Sequence, residues 1–175
     1  MELFILRHGE VAKKLNRFVG AGGSLTYLGI SEIKTIANSI KKLRIKIDLI
    51  LTSPIFACKQ TAEIVNNIFK KRITIVICND LKPEGNFLYF YSEILKYKDV
   101  SSILIIGHEP YLSNMISDII SNNNNISMDK NHNENRINIV LKKAGLSKIN
   151  ITSTVPKLKG ELSWLLTPKI LKKLS

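Results

Sequence analysis

Cysteine is scarce in this 175-residue chain, where Cys58 and Cys78 stand alone. Without CxxC spacing they predict reduced, structural thiols rather than a disulfide framework or a metal site. Histidine is scarce too: there are three, and no HxxxH or HxH spacing supports a zinc site. No metal and no cofactor are therefore expected. Long apolar runs are missing too. The longest, such as Ile103-Leu104-Ile105-Ile106, are strand-length and far short of a membrane span. The N-terminus does not read as a signal peptide, because Glu2 and Arg7-His8-Gly9-Glu10 interrupt any apolar stretch. The cytoplasm is the expected compartment, and no membrane partner is expected.

Acidic residues are also few, 14 against 26 Lys and Arg, which leaves a net charge of +12. Such a field favours phosphorylated or acidic partners. The lysines are scattered in pairs, however: Lys13-Lys14, Lys41-Lys42, Lys70-Lys71, Lys142-Lys143 and Lys172-Lys173. They fall mostly near helix ends and turns, where cations suit the helix dipole. No interleaved aromatic and basic stripe is present, so nucleic acid is disfavoured as a partner and most of this charge reads as solvated surface.

The length suits a single domain over residues 1–175 with one continuous core. Apolar residues recur every three or four positions over Tyr27–Leu43 and Ile55–Lys71, which predicts amphipathic helices. Phe87–Lys96 and Tyr111–Ser121 also read as helical, and Pro168–Leu174 as a terminal helical turn. Glu2–Arg7, Asp48–Thr52, Ile73–Cys78 and Ser102–Gly107 read as strands between them. Ile137–Leu141 and Lys148–Thr152 alternate, with Lys143-Ala144-Gly145 as a hairpin connection. Leu162–Leu166 reads as a last short strand. Alternating strands and helices predict an α/β fold with a mostly parallel sheet, and the hairpin adds antiparallel edge strands. Residues 121–136 are Asn-rich and polar and predict a mobile surface loop. His132 lies there, and a mobile loop is a poor place for a preorganised catalytic group.

Two of the three histidines follow apolar strands. Met1–Leu6 runs into Arg7-His8-Gly9-Glu10, and Ser102–Ile106 runs into Gly107-His108-Glu109-Pro110. In open α/β sheets ligands bind at the carboxyl ends of the strands. A neutral imidazole beside a fixed guanidinium suits attack on phosphorus: the histidine attacks and the arginine holds the phosphoryl oxygens. If the two strands are neighbours, His108 joins His8 in one pocket and stabilises transition-state charge. A metal set from His8, His108, Glu10 and Glu109 is opposed by Arg7, which repels a cation.

Four motifs come in a recognisable order. They are Arg7-His8-Gly9, Leu25-Thr26-Tyr27-Leu28-Gly29, Thr52-Ser53-Pro54 with Gln60-Thr61-Ala62, and Gly107-His108-Glu109-Pro110. In this order the chain resembles the histidine phosphatase superfamily, and it looks most like the SixA-type branch of phosphohistidine phosphatases. Lys159–Pro168 resembles the closing strand and tail of that branch. The resemblance implies a three-layer α/β/α sandwich of the phosphoglycerate mutase-like type. It implies a phosphatase in which His8 is transiently phosphorylated while Arg7 and His108 hold the phosphoryl group. Glu84 falls where related enzymes bring an acid, with Glu10 and Glu109 as other candidates. Glu109 itself reads as a surface carboxylate in the first turn of its helix. Gly9, Glu10 and Lys59 are expected on the substrate side. The implied partner is a phosphorylated protein or a small phosphoester, acted on by a monomer or small homo-oligomer. One position departs from the pattern. The family usually carries Arg four residues after the Ser of its Ser-Pro motif, and here that residue is Ala57. Losing a charge-assisted contact removes about 1.5–3 kcal/mol. A weakened or purely phosphate-binding homologue is therefore the alternative.

Overall fold

The computed structural model describes residues 1–12, 23–69, 72–121 and 137–174. In chain order the elements are β1 (Glu2–Arg7), α1 (Tyr27–Lys42), β2 (Leu49–Thr52), α2 (Phe56–Phe69), β3 (Thr74–Ile77), α3 (Phe87–Leu95), β4 (Ser102–Gly107), α4 (Tyr111–Ile120), β5 (Leu146–Ser153), β6 (Lys159–Leu166) and α5 (Pro168–Leu174). A short 3₁₀ turn, Asn79–Leu81, follows β3. The strands form one sheet in the order β3-β2-β4-β1-β5-β6. β1, β2, β3 and β4 run parallel, and β5 and β6 close one side antiparallel.

Buried alternation builds the three layers. Leu3, Ile5, Ile103 and Ile105 pack with Phe90, Ile94, Leu112 and Met115 from α3 and α4. Phe4, Leu6, Leu104 and Ile106 point the other way, onto Ile33, Ile36 and Ile40 of α1, Ala62 and Val65 of α2, and Leu171 of α5. A strand buried on both faces needs apolar residues at every position, which is why β1 and β4 read as continuous runs. Local chemistry sets the helix starts. The Thr26 hydroxyl caps α1 by accepting from the Gly29 N–H at 3.0 Å, and Asn86 caps α3 by accepting from Leu88 N–H at 2.8 Å. The layered α/β expectation holds, and the neighbouring placement of β1 and β4 is met in register: Arg7 lies opposite Gly107.

The hairpin expectation is corrected. Residues 137–141 form no strand, and β5 pairs with β6 instead, through residues 154–158. β1 has only two edges. β4 takes one and Leu146–Asn150 takes the other, and β6 takes the remaining edge of β5, so the alternating Ile137–Leu141 segment cannot pair with the strand that follows it. β6 is correspondingly longer than the sequence suggests, starting at Lys159 rather than Leu162. The Asn-rich loop, beyond Ser121, lies outside the described residues, as does His132. No helix among the described residues is long and apolar enough to cross a membrane.

Candidate functional site

Three parallel strands end side by side. The His8 N–H donates to the Gly107 carbonyl at 3.2 Å, and the Ser53 N–H donates to the Ile106 carbonyl at 3.0 Å. Arg7-His8, Gly107-His108 and Thr52-Ser53 therefore meet at one carboxyl edge, although His8 and His108 lie 100 positions apart in the sequence.

The His8 ring has one defined tether. Nδ1 lies 2.7 Å from the Gly9 carbonyl oxygen. A carbonyl only accepts, so Nδ1 must carry the proton and donate it. The lone pair is then left on Nε2, the nitrogen free to attack. Gly9 reaches this position because it packs on Gly29: a Cβ at Gly9 would meet the Gly29 carbonyl oxygen at 2.9 Å. The structure thus places Gly9 behind the His8 ring, where its carbonyl fixes the tautomer. Burial holds His8 below its ordinary value, and the positive charges of Arg7 and Lys143 press the same way against the raising effect of the Gly9 bond.

His108 faces His8 with ring centroids 5.0 Å apart. Its Nε2 shares a 2.9 Å hydrogen bond with the Ser53 hydroxyl and lies 3.3 Å from Cys58 Sγ. Burial lowers the His108 pKa most, repulsion from His8 adds to this, Glu84 opposes it, and the value is about 4. Both imidazoles are therefore neutral at pH 7. Cys58 and Cys78 are free, as the sequence predicts, but Cys58 is more than filler. It forms one wall of the His108 socket, and burial pushes its thiol upward so that it stays neutral. No sequence signal pointed to Cys58, and Ser53 entered only as part of a motif.

The Arg7 guanidinium donates from Nη1 to the Leu141 carbonyl at 3.0 Å. Its Nε is buried and has no hydrogen-bond partner among the described residues. Ala57 is buried in the first turn of α2, and Lys59, two residues on, pairs with no described group. Glu84 is exposed in the turn after the 3₁₀ segment, within electrostatic reach of His108. Glu10 is occupied: it accepts from the Thr26 hydroxyl at 3.1 Å and pairs with Lys143 at 3.5 Å. Glu109 is a correction. It precedes α4 rather than lying in its first turn, it is half-buried, and its Oε1 is buried with no described partner. Burial raises its pKa, while Ser113 and Arg7 pull the other way. Among the described residues no three His, Cys, Asp or Glu side chains gather as a metal cluster.

Comparison with known proteins agrees with this arrangement. Residues 3–83, which carry Arg7-His8-Gly9 and the Ser-Pro motif, match the histidine phosphatase superfamily (branch 1). The phosphohistidine phosphatase SixA of Escherichia coli (strain K12) is 28% identical over 121 residues, covering 68% of this chain and 74% of that protein. Over that stretch the chain is similar to the histidine phosphatases. That similarity extends to the SixA-type phosphohistidine phosphatases. The fold agrees: a protein histidine phosphatase SixA determined with tungstate superposes with a TM-score of 0.80 at 21% identity, covering 98% of this chain and 99% of that one. The alpha-ribazole phosphatase of Shigella flexneri shares the same fold at a TM-score of 0.63 and 15% identity, over 93% of this chain and 95% of that one.

Proposed function

We propose that this protein is a histidine phosphatase that removes phosphate from protein phosphohistidine through a covalent phosphohistidine at His8. The observation that carries the reading is the 2.7 Å bond from His8 Nδ1 to the Gly9 carbonyl, which leaves Nε2 as a fixed, neutral nucleophile. His8 Nε2 attacks phosphorus, and the bond to the leaving nitrogen breaks with its electron pair. Arg7 and His108 take the charge on the equatorial oxygens. Water then attacks the phosphorus of phospho-His8, releasing phosphate and restoring the free imidazole. The P–N bond is labile and its leaving imidazole is readily protonated, so a strong general acid is not required. Glu84, beside His108, is the carboxylate we assign to donate a proton to a poorer leaving group.

The substrate assignment draws support from the phosphohistidine phosphatase of Escherichia coli among the relatives. Small phosphoesters are the second substrate class, supported by the alpha-ribazole phosphatase that shares the fold. A second reading, phosphate binding without turnover, is favoured by Ala57. The deciding experiment incubates the protein with a phosphohistidine protein and with an aryl phosphate, quenches, and looks for acid-labile phosphate on His8. We expect a phosphoenzyme that His8→Ala abolishes together with turnover. Hydrolysis unchanged in His8→Ala would sink the assignment, and vanadate binding without turnover selects the second reading.

A further inference from the structure

A bound phosphoryl group carries up to two negative charges, and Arg7 supplies one positive charge beside His8. The structure brings up a second cation from a distant part of the chain. The turn at residues 141–145 is seated on Arg7 and His8 by three hydrogen bonds. Ala144 N–H donates to the His8 carbonyl at 3.2 Å, Arg7 N–H donates to the Gly145 carbonyl at 3.1 Å, and Arg7 Nη1 donates to the Leu141 carbonyl at 3.0 Å. Gly145 N–H closes the turn on the Lys142 carbonyl at 2.7 Å, and Ala144 holds a left-handed φ of 51°. Lys143 sits in the middle of this clamp. Its ammonium lies 3.5 Å from Glu10 Oε1, and the other oxygen of that carboxylate is held by Thr26.

We propose that Lys143 is a second phosphoryl-binding cation of this site, with Glu10 as the positioning residue that parks its ammonium at the site's mouth. The inference rests on His8 being the phosphoryl acceptor. The parking contact is long and its Lys143 side chain is half exposed, so it is a weak surface pair. Exchanging that carboxylate for a phosphoryl oxygen therefore costs little, and the gain is a charge-assisted contact in a less solvated place. The charge of Lys143 already acts on His8. Neither Lys59 nor any residue at position 57 does so, which makes the 141–145 turn the place where this chain replaces the guanidinium absent at Ala57.

The test measures orthovanadate affinity by calorimetry and aryl phosphate kinetics on the full chain, for wild type, Lys143→Ala, Lys143→Arg and the neighbouring Lys142→Ala. Lys143→Ala is expected to weaken vanadate binding and raise KM by about 10-fold. Lys143→Arg is expected to retain most of the affinity, and Lys142→Ala to stay within about twofold of wild type. Equal losses in Lys142→Ala and Lys143→Ala, or none in Lys143→Ala, overturn the role of Lys143 while leaving His8 as nucleophile. A wild-type protein that binds no vanadate overturns both.

Discussion

His8 and His108 face each other at 5.0 Å, their ring planes inclined by 57°, because the adjacent parallel strands β1 and β4 end in register. One ring is tied to a backbone carbonyl and the other to a buried hydroxyl, so the two neutral imidazoles have distinct jobs.

Catalysis needs His8 neutral. Burial first, then Arg7 and Lys143, lower its pKa beneath the ordinary 6.5. The acid limb of kcat/KM should therefore fall below pH 6.5. Removing a cation relieves the repulsion, so Lys143→Ala should move that limb to higher pH. A pH–rate profile of both proteins measures the sign.

Stability should also depend on His108. Unfolded, this histidine takes a proton near 6.5, whereas folded it stays neutral down to about 4. The unfolded state binds more protons across that window, so stability is full above it and falls as pH drops through it. The loss is on the order of 3 kcal/mol by pH 4, and His8 adds in the same direction. Chemical denaturation from pH 7 to 4 should show the slope, and His108→Gln should flatten it.

Ser53→Ala removes the hydroxyl that holds His108. We expect roughly 0.5–1.5 kcal/mol of lost stability. Because Ser53 positions another residue, kcat should drop about 10-fold with little change in KM. Ser53→Thr, which keeps the hydroxyl, should recover most of kcat.

Gly29→Ala should be costly for a helical position, because its Cβ would sit 2.4 Å from the Glu10 carbonyl oxygen. Overpacking of this kind costs about 1–3 kcal/mol. The clash lies against the segment that carries Gly9 and Glu10, so thermal unfolding and kcat should fall together. Thr26→Ala, which only removes the α1 cap and the Glu10 contact, should lose about 1 kcal/mol.

Ala57→Arg introduces a guanidinium in the first turn of α2, near the His108 socket. Vanadate affinity and phosphatase activity should both rise. A gain of about 10-fold or more marks the native site as one that works with a smaller charge complement.

The parts of the site that could be read in the chain are those with local causes. Strands β1 and β4 are apolar at every position because both faces are covered, and that same pattern places Arg7, His8 and His108 just past their ends. The alternating Ile137–Leu141 segment misled for the opposite reason. Alternation is a local property, but pairing needs a free edge, and both edges of β5 are taken by β1 and β6. Glu109 looked like a helix-start carboxylate, and only packing beside Arg7 shows it to be half-buried.

By itself, then, the sequence determined the α/β layering and the placing of Arg7-His8 and His108 just past two apolar strands, since each depends on neighbours within a few residues. The tertiary structure decided the tautomer of His8, the Ser53 and Cys58 socket around His108, and the approach of Lys143. The socket and the Lys143 approach depend on contacts across 50 to 133 residues of chain, which no spacing rule reaches, because only the assembled sheet brings the strand ends and the 141–145 turn to one edge.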